Sequence, residues 1–182
     1  MRLRQNVLTA LLAAALCVMA PFAVPMGPVP ITLATLGVYL AAGLLGPWRG
    51  TAAVGVYLLL GGIGVPVFAG FVGGIQQLVG PTGGFLWGYL LCAAVGGLLC
   101  RYGHRRLTPL WLVVGTLALY ITGTLWYAWQ AEVSVSAALV TIIPSLPGEI
   151  VKIAVATGLI WSLRGRVERM LTTGMKRRED SL

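Results

Sequence analysis

Residues 61–85 read GGIGVPVFAGFVGGIQQLVGPTGGF, and how this stretch is read decides the fold. It is apolar enough to lie at the level of a membrane. Its nine glycines, with Pro66 and Pro81, nevertheless forbid one regular helix through it. Bare amide and carbonyl groups are not tolerated in hydrocarbon, so an irregular segment at that depth survives where protein covers it or where it lines a cavity. The stretch is therefore expected to be the lid and wall of a binding site. Everything around it reads as helix.

Working outward, 58% hydrophobic and 10% charged residues with a mean hydropathy of +0.88 over 182 residues describe an integral membrane protein. Six spans of roughly 20 residues would use most of the chain and leave no room for a second domain. The expected fold class is all-α, with residues 1–182 forming a single transmembrane domain. On the near side, Ile31 to Gly46 and Thr51 to Gly62 form the second and third apolar runs, separated by Pro47-Trp48-Arg49-Gly50. Val7 to Val24 is the first, read as a span rather than a cleaved leader. Met26-Gly27-Pro28-Val29-Pro30 follows it as an outer loop. On the far side come Thr82 to Cys100, Pro109 to Gln130 and Glu149 to Leu163, with a short helix expected around Ala137 to Ile143.

The net charge of +8 would suggest nucleic acid as the partner of a soluble protein. Here the basic residues fall in short clusters between apolar runs, so topology explains them and no nucleic-acid partner is expected. With the amino terminus inside, every lysine and arginine except Lys152 lies on the inner side, and both termini are cytoplasmic. Lys152 stands near the outer start of the last span, three residues after Glu149, so a helix puts both side chains on one face. A charge inside a span costs about 2.5–3.5 kcal/mol near the membrane centre and less at its edge. Two readings stay open. The pair either neutralises itself to orient the helix, or it serves a binding site. In the second, an ammonium in a partly dry concavity pairs with a ligand carboxylate, and Glu149 accepts from ligand N–H groups. Phe68, Phe85, Trp87, Trp126 and Trp129 are available as walls for a flat ring, or as interfacial anchors. Ala10 and Ala14, four apart, share a face that lets another helix approach, either within the chain or on a partner subunit.

Other chemistry lacks its parts. No G-x-x-x-x-G-K-[ST] loop is present, so P-loop ATP hydrolysis is excluded and energy must come from a partner. His104 is the one histidine and Asp180 the one aspartate, both outside the spans, so no metal site, no catalytic triad and no cofactor are expected. Cys17, Cys92 and Cys100 fall in apolar runs without metal spacing and read as packing residues.

Pro28-Val-Pro-Ile-Thr-Leu33, Gly64-Val-Pro-Val-Phe-Ala-Gly70, Gly80-Pro-Thr-Gly-Gly-Phe85 and Pro147-Gly-Glu-Ile-Val-Lys152 together resemble the signature segments of the BioY family, in the family's order. These are the biotin-binding S components of energy-coupling factor (ECF) vitamin transporters. The resemblance implies six transmembrane helices in an S-component bundle in the cell membrane. It also implies biotin held near the outer face, and docking on a transmembrane T subunit with two ABC-type ATPases. Lys152, Glu149, Phe68, Thr82, Phe85, Trp87 and Trp126 are the residues expected to bind the substrate, with Ala10 and Ala14 as the partner-docking pair. The chain departs from the pattern at Ala34, where the family usually has glutamine, and at Glu149, where it usually has aspartate. Two alternatives remain beside biotin uptake: the same architecture for another vitamin, or a membrane-embedded enzyme.

Overall fold

The computed structural model describes residues 2–25 and 29–179. Met26, Gly27 and Pro28, part of the expected outer loop from Met26 to Pro30, lie outside the described residues, as does Asp180. Helix α1 (Arg2–Met19) ends five residues earlier than its apolar run. The chain then extends as β1 (Ala23–Val24), which pairs antiparallel with β2 (Ile31–Thr32) in the register Ala23↔Thr32 and Val24↔Ile31. Sequence periodicity does not reveal this hairpin, because two residues carry no alternation to detect.

Helix α2 (Ala34–Gly62) holds both the second and third apolar runs. Gly46 breaks it with a left-handed φ of 75°, and Pro47 follows. A Cβ on Gly50 would come within 2.7 Å of the Ala41 carbonyl oxygen. Nine residues of straight helix would set these positions about 13 Å apart, so the chain folds sharply back here. Only a residue at ease at positive φ can make that corner. Arg49, at the turn, donates to Gln5 and ties the bend to the start of α1.

Between Ile63 and Thr82 the irregular stretch has more order than its composition suggests. Phe68 pairs with Val72 in an isolated bridge, and α3 (Ile75–Val79) follows. The Gly61 carbonyl accepts from the Gly74 amide at 2.7 Å, and the Gly70 amide donates to the Pro21 carbonyl at 2.9 Å. These bonds are what the expected cover over bare backbone consists of.

Helices α4 (Gly83–Tyr102) and α5 (Thr108–Gln130) pack closely through small residues. A Cβ on Gly115 would meet the Cys92 carbonyl at 3.0 Å and Gly96 at 3.2 Å. Helix α6 (Val135–Ile142) is capped by Ser134, whose hydroxyl accepts from the Ala137 amide at 3.3 Å. Helix α7 (Leu146–Glu179) starts three residues before the expected span, because Pro147 suits a first helical turn.

By length and composition, three helical stretches among the described residues can cross a membrane: Gly83–Tyr102, Arg105–Gln130 and Val135–Gly165. The halves of α2 are individually shorter than a full span of about 20 residues. The core runs the length of the bundle, with Leu16, Val38, Tyr57, Leu119 and Ile160 at most 1% exposed. Basic side chains gather at one end. Arg105 donates to the Trp161 carbonyl at 2.8 Å, the Trp161 indole returns a bond to the Arg105 carbonyl at 3.2 Å, and Arg164 donates to the Cys100 carbonyl at 3.2 Å. The hairpin, the 63–82 segment and the start of α7 gather at the other.

Candidate functional site

A cavity opens at that second end, between the hairpin, the 63–82 segment and helices α2, α4, α5 and α7. Phe68, Ala69, Phe85, Leu86 and Leu119 supply its apolar wall, with Val29, Pro30 and Ile31 from the hairpin side. Thr32, Thr35, Gln77, Thr82, Tyr89, Tyr120, Ser145 and Glu149 supply its polar groups. A mostly apolar concavity with a few convergent polar atoms is the usual form of a small-molecule site.

Small residues place the two phenyl rings. Phe85 lies over Gly123 of α5, where any Cβ would overlap its ring, and Phe68 lies over Gly61 in the same manner. Phe68 also meets Tyr57 edge-on, with centroids 5.5 Å apart and planes at 84°. At the α5–α6 side, the Ser145 hydroxyl donates to the Ile142 carbonyl at 2.7 Å, so Tyr120 donates to Ser145 at 3.1 Å.

Glu149 and Lys152 form the charged corner and are 5% and 7% exposed. They are ion-paired, one turn apart on α7. The Lys152 ammonium also donates to the Thr32 carbonyl at 2.9 Å and to the Thr35 hydroxyl at 2.7 Å. An ammonium has three protons, and all three are thereby placed on protein oxygens. Thr35 passes its own proton to Glu149 Oε1 at 3.0 Å, and Tyr39 donates to Oε2 at 2.6 Å. Each of these bonds offsets part of the hydration that a buried carboxylate loses.

The expected site residues therefore separate into three groups. Phe68, Thr82, Phe85 and Glu149 line the cavity. Lys152 stands beside Glu149 and Thr35 and is not among the lining residues; its ammonium is bonded to Thr32, Thr35 and Glu149. Trp87 and Trp126 do not line the cavity either. Their indole N–H groups donate to the Leu78 carbonyl at 3.1 Å and the Gly80 carbonyl at 3.0 Å, pinning the turn after α3. An indole N–H is a donor only, and the glycine-rich turn has carbonyls to receive it. Trp129 is 72% exposed and meets Trp126 edge-on.

Ala10 and Ala14 face outward on α1, beside the exposed Val7, Leu11 and Val18, while Ala13, Leu16 and Ala20 pack inward. The methyl of Ala34 is buried and offers no polar contact. Thr35, Tyr39, Tyr89, Tyr120 and Ser145 are site or support residues that sequence reasoning missed. Thr35 and Tyr39 lie four apart in an apolar run and so share a helix face, which is a usable signal. Among the described residues no cluster of histidine, cysteine or acidic side chains could hold a metal.

The chain is similar to known proteins over most of its length. The BioY family model matches residues 1–169. A probable biotin transporter BioY of Pyrococcus horikoshii is 35% identical over 165 residues, covering 91% of this chain and 99% of its own. The biotin transporter BioY of Rhodobacter capsulatus is 40% identical over 178 residues, covering 87% of this chain and 92% of its own. A crystal structure of the S-component for biotin from an ECF-type ABC transporter superposes with a TM-score of 0.84 at 26% identity, over 90% of this chain and 92% of that one. With matches along nearly its whole length in sequence and in fold, the chain belongs to the BioY family.

Proposed function

We propose that this protein captures biotin from outside the cell and is the substrate-specificity subunit of an ECF transporter. The carrying observation is the mostly apolar cavity whose charged corner presents a carboxylate while its lysine is already saturated. Such a corner suits a neutral group rich in N–H donors. A ligand carboxylate would find no counter-charge there, since among the described residues no lysine or arginine lines the cavity. The fused ureido ring of biotin has those donors, so the ring points to Glu149 and the acid tail points away. Phe68 and Phe85 pack the ring body, and Thr82, Tyr120 and Ser145 offer hydroxyls to the remainder.

The whole chain, 1–182, acts as one substrate-binding domain. Helix α1, the two halves of α2, and α4, α5 and α7 make six crossings of the plasma membrane. The basic end is cytoplasmic, with both termini there, and the cavity faces outward. Uptake is energised by a T subunit and two ABC-type ATPases, because the sequence carries no P-loop motif. No cofactor is required, and biotin leaves unchanged, as carriage rather than catalysis demands.

Titration of the detergent-purified chain tests the ligand. Biotin is expected to bind in the nanomolar range, with thiamine and riboflavin at least about a thousandfold weaker. Tight binding of another vitamin, or conversion of biotin to a product by the chain alone, overturns the reading.

The exposed Ala10 and Ala14 are where α1 docks on the T subunit. A double Ala10→Leu, Ala14→Leu variant adds bulk on an exposed face of α1. It is expected to keep biotin affinity within about twofold, while co-purification with the T subunit and cellular biotin uptake fall at least about tenfold. Uptake at the parent level would show that docking uses another face.

A further inference from the structure

Tyr39 on α2 is fully buried, does not line the cavity, and still touches the one carboxylate that does. Proton accounting gives it a task. A carboxylate only accepts, so the Tyr39 hydroxyl spends its single proton on Glu149 Oε2 at 2.6 Å. The phenol oxygen is then an acceptor toward Thr116 of α5, 2.7 Å away. Thr116 has one proton, within reach of Tyr39 and of the Leu112 carbonyl at 2.8 Å. On the other carboxylate oxygen, Lys152 and Thr35 already occupy both acceptor directions. What remains toward the cavity is one acceptor direction on Oε2, and the Tyr39 bond decides where it points.

We propose that Tyr39 is a positioning residue that sets the register of Glu149 for a ligand N–H, through a relay running from Thr116 on α5 to Tyr39 on α2 and Glu149 on α7. The relay locks three helices to one carboxylate orientation without touching the ligand. Its ligand assay rests on the biotin reading above, whereas its spectroscopic assay rests on the geometry alone.

The test compares the full chain with Tyr39→Phe, which keeps the ring and removes the hydroxyl. In the ligand-free protein, the carboxylate stretch of Glu149 is identified by infrared difference against Glu149→Gln. That band is expected to move in Tyr39→Phe, and a band that stays in place overturns the inference whatever the affinities do. Biotin affinity of Tyr39→Phe is expected to fall about tenfold or more. The same substitution made in Glu149→Ala is expected to change affinity less than about twofold, since the group it orients is gone. Equal losses in the two backgrounds mean that Tyr39 only fills volume, and the inference fails. Should the parent chain not bind biotin while the band still moves, the ligand reading falls and the positioning role stands. Where Glu149→Ala binds too weakly to titrate, the infrared shift alone decides.

Discussion

A Lys152→Met variant is expected to lose biotin binding by at least about 100-fold and to melt well below the parent protein. The side chain keeps its length, so packing along α7 changes little. What disappears are three donors, to the Thr32 carbonyl, the Thr35 hydroxyl and Glu149. Glu149, only 5% exposed, then keeps the Thr35 and Tyr39 hydroxyls but has lost its ammonium partner. Removing one member of a buried ion pair costs about 3–5 kcal/mol because the other charge is left uncompensated. The loosened carboxylate and the freed Thr32 carbonyl would also let the hairpin shift against α7, which opens the cavity. Adding Glu149→Gln removes the orphan charge and is expected to restore most of the melting temperature without restoring affinity. Thermal melting and calorimetric titration in detergent check both halves. A single variant that melts and binds like the parent would mean that Lys152 is a bystander.

That expectation differs from the one composition suggests, and the difference marks where sequence stops being sufficient. The all-helical class follows from hydropathy, and the sharp corner at Gly46 follows from glycine and proline in an apolar run. The short helix expected around Ala137 to Ile143 is α6, which starts two residues earlier behind its Ser134 cap. Lys152 and Glu149 are conspicuous because charge inside an apolar run is costly. Their mutual saturation is invisible in sequence, since it depends on Thr32 and Thr35 arriving from 117 to 120 positions away. Tryptophans near a membrane interface read equally as anchors, ligand walls or hydrogen-bond donors. Only the positions of the Leu78 and Gly80 carbonyls resolve Trp87 and Trp126 as braces. Tyr39 is harder still, because a tyrosine in a buried helix needs its partner's coordinates before its hydroxyl has a meaning.

The irregular stretch from Gly61 makes the second large effect expected here, and a single methyl group is enough to produce it. Gly61 is the last buried position of α2, and its carbonyl anchors both the Gly64 and Gly74 amides, at 3.1 and 2.7 Å. Phe68 folds back over it so closely that a Cβ would overlap the phenyl ring. In a Gly61→Ala variant the backbone has no reason to object, and alanine is the better helix former by about 1 kcal/mol. The strain falls on Phe68, which is 2% exposed, packed edge-on against Tyr57 and part of the cavity wall. Ejecting a buried phenyl ring forfeits about 1.5–3 kcal/mol, more than the helix gains. The ring cannot leave without pulling on the Val72 bridge and the turn that leads to α3. Biotin is therefore expected to dissociate at least about tenfold faster, measured by chasing labelled ligand with unlabelled. Gly55 supplies the control, since it lies on the same helix with nothing within 4 Å of an added Cβ. Gly55→Ala is expected to leave the release rate unchanged and to raise the melting temperature slightly. If the two alanine variants release biotin alike, the seat of Phe68 on Gly61 is not what keeps the cavity closed, and the lid must be held from the hairpin side.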